Sequence, residues 1–167
     1  SHAHCDVLVV GSGASGLAAA LSAADSGARV ILMEEMADAG GRLRRERLEI
    51  DGKPAAIWAA EALAQLSAMD NVTLMTRTTA FGYYDHNLIG AVERVSDHLP
   101  VPLPYQPRQR LWNIRATRVI LATGAFEQPL VFANNDRPGV MLAGAARAYV
   151  NEYAVTPGRR AVIHCSN

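Results

Sequence analysis

Lysine is almost missing from this sequence. Of 16 cationic side chains, 15 are arginine and one is Lys53; acidic residues also number 16, so the formal net charge is zero. A neutral surface attracts neither nucleic acid nor an anionic membrane at long range, and neither partner is expected. Cysteine is scarce as well. Cys5 and Cys165 lie far apart without CxxC or Cys/His spacing, which argues against a zinc site, a dithiol centre or a disulfide scaffold. No run approaches the ~20 apolar residues of a membrane span. The apolar stretch from Val7 to Ala24 is broken by glycines, and no basic segment precedes it as in a secretory leader. The expectation is a soluble, reduced, cytoplasmic protein. The sequence opens on Ser1-His2, and residues 1–4 read as a tag or linker remnant.

What remains is the composition of a folded globule: 167 residues, 50% of them apolar, with 13 Gly and 8 Pro. Val7-Leu8-Val9-Val10 is a short apolar run ending in Gly11, the pattern of a strand buried on both faces in a parallel sheet. Ala14 to Ser26 is rich in helix formers and closes on Gly27; Arg29 to Met33 then returns as a strand. This is a β-α-β unit, which requires a right-handed crossover. Beyond a Gly/Arg-rich loop, Pro54 opens a second helix with Trp58, Ala62, Leu66 and Met69 on its buried stripe, and Val72 to Met75 follows as a third strand.

The texture then changes. Ala80 to Tyr84 and Leu88 to Val95 flank Asp85-His86-Asn87 as a hairpin, and Leu111 to Arg115 adds a third antiparallel strand after a Pro-rich link. Val119 to Leu121 reads as a separate strand of the main sheet. Met141 to Tyr153 reads as a helix with Leu142, Ala146, Tyr149 and Val150 inward and with Arg147 and Glu152 solvated. Ala161 to Cys165 reads as one more buried strand. The fold expected is α/β, a Rossmann-like parallel sheet of the FAD/NAD(P)-binding type with a three-stranded antiparallel β-meander crossover. Its dinucleotide-binding domain spans residues 5–156, with the meander at about 79–115, and residues 157–167 begin a truncated second nucleotide-binding unit.

The chemistry concentrates in Gly11-Ser12-Gly13-Ala14-Ser15-Gly16. The motif follows a strand and opens a helix, and Glu34 closes the next strand, as a dinucleotide fingerprint requires. Gly11 permits the tight turn, Gly13 lets a pyrophosphate reach the backbone, and Gly16 lets the helix pack on the sheet. The helix N-terminus, with Ala14 and Ser15, offers free N–H groups and a partial positive charge. Glu34 accepts hydrogen bonds from an adenosine ribose and repels a 2′-phosphate, which disfavours NADP. Glu35 points the other way in an extended strand and reads as a solvated carboxylate, though it stays in the candidate set beside Glu34. Gly40-Gly41-Arg42 serves equally well as a ligand cradle or as loop geometry, while Arg44, Arg45 and Arg47 read as a solvated face. Ala122-Thr123-Gly124 ends a strand at the edge where open α/β sheets bind ligands. His2, His4, His86, His98 and His164 form no acid-base constellation, so no catalytic residue and no metal ligand is assigned.

The fingerprint, the glycine doublet, the meander and the ATG strand, in this order, resemble the two-dinucleotide-binding-domain flavoproteins related to glutathione reductase. The redox cysteine pair of their disulfide reductases is missing here. Further segments resemble the α-subunits of heterotetrameric sarcosine oxidases: Thr79 to Asp85, Ala91 to Arg94, Asp97-His98-Leu99, Pro107 to Trp112 and Asn134 to Met141. That resemblance implies an oxidoreductase that demethylates sarcosine to glycine with hydrogen peroxide as product and tetrahydrofolate as one-carbon acceptor. It implies NAD bound in this fold, FAD and FMN bound elsewhere in the complex, and partner β, γ and δ subunits. It also implies that Gly41 and Arg42 face the dinucleotide, that Ala80 meets the adenine through its backbone, and that Thr123 and Gly124 lie against the cofactor. Gln128 stands where the family commonly has arginine. Two other readings remain open: an FAD-binding subunit of an opine oxidase or dye-linked proline dehydrogenase, and a structural nucleotide-binding module without a redox role.

Overall fold

The computed structural model describes residues 1–165. Strand β1 (His2–Val10) leads through Gly11 into helix α1 (Ala14–Asp25), and β2 (Val30–Met33) returns parallel to β1 with Val7 opposite Val30. A 3-10 turn (Gly41–Arg44) and a small hairpin, β3 (Glu49–Ile50) and β4 (Lys53–Pro54), precede α2 (Ala55–Ser67). Then come β5 (Val72–Met75), β6 (Thr78–Tyr84), β7 (Leu88–Arg94), β8 (Gln109–Leu121) and α3 (Ala143–Asn151). The main sheet has the order β5-β2-β1-β8-β7-β6, with β5, β2, β1 and β8 parallel and β8, β7 and β6 antiparallel. This is the α/β Rossmann-like sheet with a β-meander.

Strand periodicity splits the interior in two. Val9, Val30 and Leu32 face α1 and α2, where they meet Leu17, Ala20, Ala59 and Leu66. Leu8, Val10, Ile31 and Met33 face the other way and pack with Ile89, Ala91, Ile114 and Ala116 of the meander limb. The limb reaches that face because the sheet curls. Thr78 N–H donates to Glu34 O and Arg77 N–H to Met36 O, both at 2.9 Å, which ties the far edge strand β6 to the chain just past β2. No helix is long and apolar enough to cross a membrane among the described residues.

Four expectations change. The segments Leu111 to Arg115 and Val119 to Leu121 are one continuous strand, β8, whose first half pairs with β7 and whose later part pairs with β1. The strand runs on because β1 starts early: residues 2–4 are no loose tail but pair with Asn113, Ile114 and Arg115. The C-terminal helix is shorter, and its anchoring differs. Tyr149 and Val150 are exposed, Ala148 is the buried residue, and Glu152 is drawn into ion pairs rather than solvated. Residues 161–165 form no strand and are exposed, since among the described residues no neighbouring strand offers them a ladder. The expected second unit also extends onto residues 166–167, which lie outside the described residues.

Asp6 fastens the start of the parallel pair. Its carboxylate accepts Arg29 N–H at 2.8 Å, Nε at 3.1 Å and Nη2 at 2.8 Å. The Arg29 guanidinium and backbone N–H hold the Asp6 carboxyl down to about 2. A carboxyl lowered by folding contributes its full stability above its unfolded value and loses it as pH falls through about 2. An NMR titration should therefore show the Asp6 midpoint near 2 in the native chain and at the ordinary carboxylate position in Arg29→Ala.

Candidate functional site

The glycine turn is set by backbone contact. Gly11 N–H donates to Met33 O at 2.8 Å and Ala122 N–H to Val10 O at 2.8 Å, so the carboxyl ends of β1, β2 and β8 meet here. Gly11 has φ +101°, and a Cβ on it would lie 2.3 Å from Ala122 O and 3.3 Å from Thr123 Cα. A Cβ on Gly16 would lie 1.9 Å from Gly11 O. Both glycines are therefore required by close approach, one to the ATG segment and one within the fingerprint. Gly13 differs: nothing lies within 4 Å of where its Cβ would stand. The space in front of it is open.

That opening is lined by donors. The first bond at the start of α1 is Leu17 N–H to Gly13 O at 2.9 Å, no side chain caps the helix, and its first turn contains no acid. The N–H groups at Ala14, Ser15 and Gly16 thus have no intrahelical acceptor and add to the positive end of the helix dipole. Ala14 and Ser15 are exposed. Gly41 closes one side, since a Cβ on it would stand 3.1 Å from Gly13 Cα. Arg42 follows, half exposed and 3.3 Å from Glu46.

Glu34 is 7% exposed and is held from both sides. Its Oε2 accepts Ser12 N–H at 3.1 Å and the Ser12 hydroxyl, and its Oε1 accepts Met36 N–H at 2.9 Å. An ionised carboxylate has about four acceptor positions. Three are filled from within the chain, which leaves one on Oε1. The Ser12 hydroxyl also accepts Gly40 N–H at 3.0 Å. One side chain therefore joins the fingerprint, the end of β2 and the glycine doublet. The fingerprint leaves that position unspecified, so the sequence alone does not single out Ser12. Glu35 is exposed, and its backbone O accepts Arg94 Nη2.

The other candidates spread along the same edge. Ala80 lies in β6, two residues past Thr78, whose N–H is bonded to Glu34 O. Ala122 and Thr123 meet Gly11, while Gly124, with φ +75°, faces open space. Arg44 and Arg45 are not a solvated face. Arg45 Nε pairs with Glu152 at 2.5 Å, Arg44 Nη2 with Glu152 at 3.5 Å, and Asn151 Nδ2 donates to Arg45 O at 2.7 Å. Arg147 pairs with Glu46 at 3.4 Å, and Glu127 accepts Gly144 N–H at 2.7 Å. The end of α3 buttresses the turn that carries the doublet. Charge partners so remote in sequence leave no local signal.

Two substitutions test this geometry by denaturant unfolding. Gly16→Ala should cost about 1–3 kcal/mol or more, because its methyl meets a carbonyl rather than a yielding side chain. Ser12→Ala should cost about 1–3 kcal/mol by leaving the buried Gly40 N–H without its acceptor.

Comparison with known proteins matches this geometry to a lineage. Residues 6–61 match the family of FAD dependent oxidoreductases. The alpha subunit of sarcosine oxidase from Rhizobium meliloti (strain 1021) is 54% identical over all of this chain, which spans 17% of that relative's length. An opine oxidase subunit from Agrobacterium tumefaciens (strain Ach5) is 31% identical over 95% of this chain and 31% of its own length. Among solved structures, the L-proline dehydrogenase of P. horikoshii superposes with a TM-score of 0.77 at 30% identity, covering 95% of this chain and 30% of that one. The chain is thus related over its whole length to a stretch of sarcosine oxidase α-subunits, on the fold of FAD-dependent oxidoreductases.

Proposed function

We propose that this chain is the adenine-dinucleotide-binding segment of an oxidoreductase α-subunit of the sarcosine oxidase kind. The observation that carries the reading is the open space in front of Gly13, bounded by the uncapped start of α1 and by Gly41. A pyrophosphate there takes the N–H groups at Gly13, Ala14, Ser15 and Gly16, with Gly11 shaping the turn. Arg42 adds charge from the doublet side. Glu34 takes one ribose hydroxyl on its remaining acceptor position, Glu35 stands outside it, and Ala80 meets the adenine. Ala122, Thr123 and Gly124 flank the rest of the cofactor. The dinucleotide, when bound, supplies the two-electron redox chemistry. The residues of this chain bind it, orient it and shield its phosphates from water.

FAD is the dinucleotide that the family match supports. NAD is the second reading, carried by the resemblance to sarcosine oxidase α-subunits, and the Glu34 carboxylate suits the unphosphorylated ribose of either. Sarcosine demethylation belongs to the assembled enzyme in this proposal, with β, γ and δ subunits as partners, FAD in the β-subunit and FMN at the α/β interface.

Mass spectrometry of the ligand released on denaturing the purified protein separates the two, as does colour, because bound flavin is yellow. Release of FAD or NAD supports the site. If neither is released and neither binds on addition, the proposal fails. Glu34→Ala should weaken dinucleotide binding by roughly tenfold or more, in keeping with a charged hydrogen bond of about 1.5–3 kcal/mol. Unchanged affinity by calorimetry removes the ribose role.

A further inference from the structure

A second cationic cluster lies just past the acidic pair Glu34-Glu35. Ala37, Arg77, Arg94, Asp97 and His98 line a cavity of about 220 Å³. Arg94 Nη2 is directed to Glu35 O, and Arg77 N–H donates to Met36 O. The cavity is therefore fixed to the backbone that follows Glu34.

Arg77 is its unusual member. It is half-buried, yet its guanidinium has no hydrogen bond or ion pair among the described residues. Arginine presents five N–H donors in a fixed fork, and a cation withdrawn from water without a partner is costly. Its backbone is also in the left-handed region, at φ +51°, which a long side chain seldom adopts. Two ladder-like bonds hold it there: Arg77 N–H to Met36 O and Arg94 N–H to Arg77 O, each 2.9 Å. Arg77 thus combines a seldom-adopted backbone conformation, a guanidinium without a hydrogen bond or ion pair among the described residues, and a place on the wall of the cavity.

The acid in the cavity does not neutralise it. Asp97 accepts the Gln109 amide and, at 2.8 Å, Arg108 Nε, and these two partners hold its carboxyl below the usual range. Arg108 is bonded to Asp97 and the Arg94 charge also acts on that carboxylate, so the charge of Arg77 is left over, and exposed His98 adds a ring nitrogen.

We propose that Arg77, Arg94 and His98 form a binding site for a phosphate-class oxyanion. The fork geometry suits two oxygens of one tetrahedral anion, and the volume admits phosphate together with water. The site stands independently of the dinucleotide reading, since it uses none of the glycine-turn residues. The anion is either free or carried as a phosphate ester on a nucleotide seated next door.

The test uses the full chain and inorganic phosphate, titrated at constant ionic strength against chloride and followed by NMR of the arginine Nε–H groups. Saturable shifts at Arg77 and Arg94 in the millimolar range are expected. Arg77→Gln should weaken phosphate binding by about tenfold, the loss of a charge-assisted fork, and should melt near the native temperature because that guanidinium has no hydrogen bond or ion pair among the described residues. Arg77→Lys keeps the charge and should retain part of the affinity. Absence of saturable shifts in the native chain with inorganic phosphate and with NADP⁺ alike, or equal affinity in Arg77→Gln, overturns the proposal. Comparison of NADP⁺ with NAD⁺ identifies the source. Shifts of the same signals by NADP⁺ alone identify an ester phosphate, and shifts by inorganic phosphate alone identify a free anion. Phosphate binding in a protein that binds no dinucleotide sinks the proposed function and leaves this site standing.

Discussion

The approach of Gly16 to the carbonyl of Gly11 is the constraint on which the carboxyl edge depends. With less than 2 Å available for a Cβ, the helix can start only where it does, against the end of β1. That placement points the first N–H groups of α1 outward over Gly13. It also brings Ala122 and Thr123 under Gly11, so the end of β8 becomes the floor of the site. A larger residue at either glycine would separate helix and sheet, and the donors would lose their common focus.

Around that contact the chain builds a frame from polar groups at very different sequence distances. Ser12 links three backbone segments through one hydroxyl. Farther out, Glu152 and Arg147 of the C-terminal region pair with Arg45, Arg44 and Glu46 beside the doublet. Partly buried pairs of this kind, with their arginines still a third or more exposed, are individually weak, but a group of them on one turn restricts the orientations available to Gly41 and Arg42. The edge is thus held by packing on the sheet side and by charge on the solvent side.

Much of this is legible in the sequence for a physical reason. Buried parallel strands read as unbroken apolar runs, so Val7–Val10 and Arg29–Met33 announce themselves, and the glycines between them carry a spacing that few other turns need. The helices α1 and α2 follow from composition and from the stripe Trp58, Ala62 and Leu66. What misleads is polarity within a strand. His2, His4 and Arg115, Thr117, Arg118 interrupt the apolar pattern on β1 and β8, so both strands read as shorter than they are, and one strand reads as two. The two misreadings are a single one, since each of these segments is extended because the other pairs with it. At the site, residue types mark the glycines and Glu34, whereas the Ser12 hydroxyl, the α3 ion pairs and the unpaired Arg77 depend on three-dimensional neighbours that no local pattern encodes.

The pairing of β1 with β8 has a consequence for how the molecule comes into being. The N-terminal amine of Ser1 meets Leu111 O at 2.8 Å across a separation of 110 residues, and the ladder continues to Val10 and Leu121. During synthesis, β1 must wait until β8, some 110 residues further on, has been made before its second neighbour exists. Until then its Leu8 and Val10 lack the limb that covers them, on a contact of high order that closes late and slowly. The central strand of the finished sheet is therefore an exposed edge strand in the growing chain, and this interval is when the protein is most open to wrong partners.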